Sequence, residues 1–274
     1  MLRTLAWAVA RPDSIVRTVV RKFGIGSFEF RLELEAFERP AYAYCMWHAA
    51  RLSHALGLPK ISAIEFGVAG GNGLVAIEGL AREIEGRIPV KWEVYGFDLG
   101  EGLPEHSDYR DCPFIWQKGL YKMDAESVRT RLKDSSLILG PVSQTIPSFV
   151  AEFSPAPIGF ISFDLDYYSS TRDAFRILGE ADEYFLPRVF CYFDDVAGSD
   201  DQLLCVDLGE LLAIEEFNRE HSNQKLRPVH GLQSKRRLLC PWVEKVYALH
   251  RFFHPQYSVY AGRSAQNNVR TSWT

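Results

Sequence analysis

The 274-residue sequence has no apolar run long enough to cross a bilayer, no C-x-x-C pair, no internal repeat and no surplus of basic residues. Each absence removes a class of protein. A membrane-spanning helix needs about 20 consecutive apolar residues, so none is expected. With 31 Lys and Arg against 35 Asp and Glu, a formal charge of −4, the chain lacks the electrostatic footprint of a nucleic-acid-binding protein. The five cysteines, Cys45, Cys112, Cys191, Cys205 and Cys240, are odd in number and scattered in apolar contexts. That pattern argues for reduced core thiols rather than disulfides or zinc, and so for a soluble, cytoplasmic protein.

What is present is an α/β pattern organised around one stretch. The composition, 47% hydrophobic and 24% charged, suits one sizeable core with an appendage. Ile61, Ala63, Ile64, Phe66 and Val68 form an apolar run of the kind buried on both faces of a parallel sheet. Gly67, Gly70, Gly71 and Gly73 then clear the turn of side chains, and a helical pattern follows over 74–85. Glycines so placed let the backbone approach a ligand and leave the amides opening the helix free to donate. A dinucleotide turn wants G-x-G-x-x-G directly after the strand, whereas the nearest match here, Gly71-Asn-Gly73-Leu-Val-Ala76, is displaced downstream. Read as E-x-G-x-x-x-G-x-G, Glu65, Gly67, Gly71 and Gly73 fill every place, and the stretch resembles motif I of class I S-adenosylmethionine-dependent methyltransferases. An acidic residue suits a ligand carrying an ammonium and a sulfonium and would repel a pyrophosphate. Glu65, Gly67, Val68, Ala69, Gly71 and Gly73 are therefore the expected contacts of the cofactor's methionine end.

Residues 91–98 read as the second strand, and Asp98 at its end is placed to accept the ribose hydroxyls of a bound nucleoside. The aromatic stretch over 105–122, with Tyr109, Phe114, Trp116 and Tyr121, is expected to be an irregular loop that walls a substrate. A helix over 124–132, a strand over 136–139 and a turn over 140–147 follow. Next comes an apolar strand that ends in Asp164 and Asp166. In an extended chain these two carboxylates project to one side, where they repel unless a cation, a proton or a ligand ammonium lies between them. Ser169, Ser170 and Thr171 are expected to cap the next helix. The strand over 188–193 ends in a second acidic pair, Asp194 and Asp195, and ligands of open α/β sheets bind at such carboxyl ends. The cluster holds oxygen donors without histidine or cysteine, a set that favours Mg²⁺ or Mn²⁺ over zinc.

Phe97-Asp-Leu-Gly-Glu-Gly-Leu-Pro104 looks like the F-D-S-F-E-G-L-P stretch of the macrocin O-methyltransferase family, a group of antibiotic-sugar methyltransferases. The D-x-D-x-Y-x-S-T pattern followed by D-D matches that family at Asp164, Asp166, Tyr168, Ser170, Thr171, Asp194 and Asp195. The resemblance implies that Asp166, Asp194 and Asp195 hold the metal, that Asp164 borders the cofactor and that Gly140, in the family's G-x-x-x-x-T-L-P segment, borders the adenine. One departure is Ser169, where the family carries glutamate. The implied reaction is methyl transfer to a hydroxyl of a sugar or secondary metabolite; the expected route for the proton is to Asp166, which keeps it or hands it to a histidine. A metal-independent N-methyltransferase, a nicotinamide-dependent oxidoreductase and a non-catalytic cofactor-binding protein remain open alternatives.

The expected fold is a doubly wound, mostly parallel, seven-stranded Rossmann-like sheet with an N-terminal helical cap. It divides into a cap over 1–58, a methyltransferase domain over 59–262 and a polar tail over 263–274. Residues 1–22 carry five basic residues among apolar ones, the pattern of a surface helix at the domain mouth. The apolar core over 5–10 is short for a signal peptide. Residues 23–30 read as a flexible aromatic segment, residues 39–57 as a helix bracketed by Pro and Gly, and residues 202–221 as another helix. Residues 226–232 and 244–253 are the candidate last strands. The basic cluster over 234–237 is placed as a solvated loop, with recruitment of an anionic substrate as its other use, and a homo-oligomer is a possible state.

Overall fold

The structure is a computed structural model, and it describes residues 12–236 and 238–262. The apolar run before the glycine turn forms β1 (Lys60–Phe66), central in a seven-stranded sheet ordered β3-β2-β1-β4-β5-β7-β6. The other strands are β2 (Lys91–Asp98), β3 (Ser136–Leu139), β4 (Ile158–Phe163), β5 (Phe185–Phe193), β6 (Gln224–Pro228) and β7 (Val246–Arg251). Strands β1 to β5 are parallel, and β7 runs antiparallel to both β5 and β6. The chain order reverses between β1 and β4, which makes a crevice at their carboxyl ends.

Helices α1 (Pro12–Phe23), α2 (Phe28–Glu33) and α3 (Pro40–Ala55) precede the sheet. The helices α4 (Asn72–Glu85), α5 (Ala125–Arg131), α6 (Val142–Phe153), α7 (Tyr168–Ala174) and α8 (Gly209–Glu220) are interleaved with the strands. Ten residues of α3 are buried, four of them alanine, so this helix lies close on β4 and β5. None of the helices among the described residues is long and apolar enough to cross a membrane.

The strand ends are held by a row of phenylalanines. Phe97, Phe66, Phe163 and Phe193 sit in register on β2, β1, β4 and β5, fully buried, with neighbouring rings 5.0, 5.5 and 4.7 Å apart. Burying each ring contributes roughly 1.5–3 kcal/mol, enough together to hold polar strand ends that would otherwise repel. The residue following each ring is Asp98, Gly67, Asp164 and Asp194. One hydrophobic layer thus aligns four candidate site residues.

Several expected elements differ. The segment placed as flexible contains α2, capped by Ser27, and Phe28 is buried and stacked 4.4 Å from Trp47. The turn placed over 140–147 is largely α6, which starts directly after Pro141 and tolerates Pro147 in its interior. Helix α7 begins at Tyr168, so Ser169, Ser170 and Thr171 lie in its first turn instead of capping it, and Asp111 accepts from the Ser169 amide. The helix placed over 202–221 starts only at Gly209, because Leu203 and Gly209 both take positive φ. The last two strands are shorter than expected at both ends of the span between them. Residues 1–11, Arg237 and 263–274, including most of the leader-like segment and the polar tail, lie outside the described residues.

Candidate functional site

Above the phenylalanine row lies a cavity of about 620 Å³, lined by Glu65, Gly67, Val68, Ala69, Gly73, Asp98, Asp164, Asp166, Asp194 and Asp195 among others. Ten of the twelve expected site residues therefore share one space. Gly71 and Gly140 stand behind it. Gly71 is the left-handed N-cap of α4, and Gly140 donates its amide to the Asp98 carbonyl at 2.9 Å.

Two glycines are required by close approach. A Cβ on Gly67 would sit 1.7 Å from the Asp164 carbonyl oxygen, and one on Gly73 would sit 1.8 Å from Glu65 Oε1. The turn thus brings the backbone of β4 and the side chain of Glu65 against the start of α4, whose first amides have no side-chain cap. Arg131 pins the turn from α5, donating to the Gly70 carbonyl at 2.6 Å and to Asn72 Oδ1 at 2.7 Å. Asp98 braces it from below. Its Oδ2 accepts the Val68 and Ala69 amides at 2.8 Å each, and its Oδ1 accepts the Gly100 amide at 2.6 Å. Three of roughly four acceptor directions are used, so pairing with both ribose hydroxyls requires Asp98 to release an amide.

Glu65 is 1% exposed. Its Oε1 accepts from Tyr42 Oη at 3.1 Å, and its Oε2 has no partner among the described residues. Burial, with Asp164 adding repulsion, pushes its carboxyl up to about 8. Burial and the Asp195 and Asp194 charges likewise raise Asp164 to about 8, while burial and Asp164 raise Asp166 to about 7. A group of buried like charges with one unsatisfied oxygen is a demand for a cation.

Asp166 does not continue the extended strand. Its φ of 59° is left-handed, a conformation uncommon outside glycine, so the same-side projection expected of Asp164 and Asp166 is replaced by a turn. The Asp166 amide donates to Asp195 Oδ2 at 3.0 Å, and the Asp195 amide donates to Glu210 Oε2 at 3.0 Å. Glu210, from α8, is fully buried with Oε1 unpartnered. Burial and neighbouring carboxylates raise Asp195 and Glu210 well above the carboxylate range. Asp194 is compensated, accepting from Tyr192 Oη at 2.6 Å and from Lys245 Nζ at 3.2 Å. Among the described residues no three carboxylates, imidazoles or thiolates already stand in a metal-ligating group. In donor chemistry and uncompensated charge, the Asp166 and Asp195 oxygens do fit a hard divalent cation.

Arg39 is a residue that sequence reading passed over as a helix boundary. Among the described residues it is the only basic side chain lining the cavity, at the N-cap of α3, within 3.4 Å of Tyr42 Oη. Burial opposes its charge, yet Tyr42, Glu65 and Asp164 hold it above the ordinary arginine value. Its position before Pro40 signals only a helix start, so nothing local marks it as functional. From the long loop, Trp116 and Tyr121 line the cavity, while Tyr109 and Phe114 are exposed. No described histidine lines it. His254 contacts the Asp182 and Phe185 carbonyls, His221 stacks on Phe217, and Arg236 of the basic cluster stacks on Tyr44.

No family profile matches the sequence, and no curated protein matches it. Similar solved structures include O-methyltransferases. The O-methyltransferase NovP is 14% identical, over 75% of this chain and 79% of that one, with a TM-score of 0.48. The calicheamicin methyltransferase CalS11 is 20% identical over 87% and 91%, with a TM-score of 0.49. The O-methyltransferase TomG from Streptomyces achromogenes, involved in tomaymycin synthesis, is 13% identical over 76% and 78%, with a TM-score of 0.42. At these identities the likeness concerns the course of the chain, not its chemistry.

Proposed function

We propose that this chain is an S-adenosylmethionine-dependent O-methyltransferase acting, with Mg²⁺ or Mn²⁺, on a hydroxyl of a small sugar or secondary-metabolite acceptor. The observation that carries this reading is the unpartnered oxygen of buried Glu65, facing a glycine turn that closes around it. An ammonium group there satisfies that oxygen and relieves the repulsion from Asp164. Arg39, beside Glu65, is placed to take the carboxylate of the same amino-acid end. Glu65, Gly67, Val68, Ala69, Gly71 and Gly73 hold the methionine end, with Asp98 and Gly140 toward the nucleoside.

The cofactor, when bound, supplies an electrophilic methyl group. Asp166, Asp194 and Asp195 would hold the divalent cation, which lowers the pKa of a nearby hydroxyl. For Asp194 to join, its carboxylate turns from Lys245. Trp116 and Tyr121 wall the acceptor and exclude water. Since no described histidine lines the cavity, the proton would go to a carboxylate of the lining, and Asp166 is the one assigned that task. The acidic lining disfavours nucleic acid as acceptor, and four of the five free cysteines are buried, in keeping with a reducing, cytoplasmic setting.

Calorimetric titration of S-adenosylhomocysteine into metal-stripped protein tests the reading, repeated with Mg²⁺ and with NAD as competitor. The expected result is binding that NAD does not displace, plus a separate Mg²⁺ heat abolished in Asp195→Ala. Binding of NAD without S-adenosylhomocysteine sinks the proposal in favour of an oxidoreductase.

A further inference from the structure

We propose that the chain self-associates, the acidic loop over residues 199–207 of one copy seating in a basic cleft of another, between α3 and the open face of β5, β7 and β6. This interface is separate from the acidic cavity and does not depend on the reaction carried out there.

The cleft, about 1410 Å³, is larger than the acidic cavity and carries the opposite charge. Among the described residues its lining includes Arg51, Arg188, Lys225 and Arg227 against the single carboxylate of Glu29. A further arginine there, Arg87, is ion-paired with Glu83. The other four have no ion pair with a carboxylate of the described residues. Arg188 donates to the Tyr257 carbonyl at 2.8 Å, and Lys225 donates to the Asn218 carbonyl, groups without formal charge. The strand register sharpens the point. Lys225 stands opposite His250, and His250 opposite Arg188, so three basic side chains form one row across β6, β7 and β5. The two cations of the row, Lys225 and Arg188, flank the imidazole and leave a positive strip that an anion complements. Trp47, Phe190 and Ala248 give the cleft an apolar floor. An occupant therefore combines negative charge with apolar side chains, in a volume above that of ordinary small-ligand pockets.

The same chain exposes such a segment. Residues 199–207 contain Asp200, Asp201 and Asp207 and no basic residue. Leu203 is 76% and Val206 60% exposed, side chains that a partner surface would bury. Asp200 and Asp207 have no ion pair among the described residues, and none of this loop lines its own chain's cleft. Four cations against Glu29 leave three positive charges in the cleft, and the loop supplies three aspartates. A two-fold arrangement, each loop in the other copy's cleft, closes as a dimer.

Sedimentation velocity of the full chain tests this. At ~50 mM NaCl the wild type is expected above monomer mass, and at ~0.5 M NaCl its dissociation constant should rise about tenfold or more. Arg51→Glu/Arg227→Glu and Asp200→Lys/Asp201→Lys should each sediment as monomers with unchanged circular dichroism. Mixed in equal amounts, they should associate, since each reversed surface then meets its complement. If a charge-reversed variant misfolds, Leu203→Ser provides the same test through loss of apolar contact. A wild type that stays monomeric at ~50 mM NaCl and about 100 μM chain overturns the proposal. So does a variant pair that keeps the wild-type mass, or a mixture that stays monomeric. Calorimetry with inorganic tripolyphosphate adds an arm: its binding to a monomeric wild type would assign the cleft to a small phosphate ligand and overturn self-association.

Discussion

The parallel and antiparallel parts of this sheet handle charge in opposite ways. At the carboxyl ends of β2, β4 and β5, acidic residues follow buried phenylalanines, so carboxylates are forced together over a rigid hydrophobic layer. On the open face of β5, β7 and β6, basic residues stand on the pleat itself, spread along the surface, with Arg188 and Lys225 donating to backbone carbonyls. The first arrangement is buried, and its unpaired oxygens are costly. The second is more open, so its cations stay within reach of solvent and of an anionic partner. Removal of a carboxylate from the first region should therefore change chemistry, whereas removal of a cation from the second should change association and little else.

The largest expected effect is at Asp166 and Asp195. Asp195→Ala removes the acceptor of the Asp166 amide as well as a candidate metal ligand, and methyl transfer should fall by about 10²–10⁴-fold, measured as product formed under saturating Mg²⁺. The control is Arg227→Ala in the cleft, with turnover within about twofold of wild type. Equal losses in both variants would erase the distinction between the regions. Next in size, Glu65→Gln and Arg39→Met should each weaken S-adenosylhomocysteine binding roughly 10- to 100-fold, the worth of a charge-assisted hydrogen bond. 5′-Methylthioadenosine, which lacks the amino-acid end, should bind wild type and both variants alike. A parallel loss for this analogue would mean that the substitutions disturb the turn rather than the charge contacts.

Much of this contrast was legible in the sequence where chemistry is local. Glycine spacing after an apolar run, and aspartates at strand ends, carry their own signal, and the structure gathers them around one cavity. The seven strands could be counted because apolar runs of strand length alternate with helical periodicity. What escaped has a physical reason. Arg39 reaches the cavity only through the packing of α3 on β4 and β5, a long-range fact that no local pattern encodes. Glu210 falls inside the helix expected over 202–221 with nothing to single it out, yet the helix starts only at Gly209, at positive φ, and Glu210 accepts the Asp195 amide. The row of Lys225, His250 and Arg188 depends on strand register across three strands distant in sequence. Asp166 was misplaced on the extended strand because an aspartate in the left-handed region leaves no mark in a one-dimensional pattern.

The two regions should also respond oppositely to pH. Glu65 and Asp164 are raised to about 8 and Asp166 to about 7, so the folded protein binds protons that the unfolded chain has already released. Their contribution to stability is then lost as pH rises from the unfolded carboxylate range near 4 toward 8. Thermal midpoints of the ligand-free protein should decline across that window, and Glu65→Gln should flatten the decline while raising the midpoint at pH 8. Saturating S-adenosylhomocysteine should flatten it too, because its ammonium compensates the same charge. A midpoint that climbs steadily from pH 5 to 8 in the ligand-free wild type would mean that these carboxylates are not the protons at issue.

The smallest effect belongs to His250. Burial, and then the Arg188 charge, lower its pKa below the ordinary histidine value, so the unfolded chain takes up a proton that the folded one refuses. Its contribution rises with pH and is complete near 6.5, opposite in sign to the carboxylates. Its ring is held by Tyr257 Oη at 2.8 Å and stacks on Phe252, with Lys225 and Arg188 on either side. Nuclear magnetic resonance titration at high salt, where copies are separated, should show His250 titrating below 6.5. Arg188→Met should bring it only part of the way back, because burial is the larger cause. Full return to 6.5 would make the cation row the whole explanation and the packing irrelevant, whereas no movement would mean that solvent already screens the row and that the cleft needs no anion to cover it.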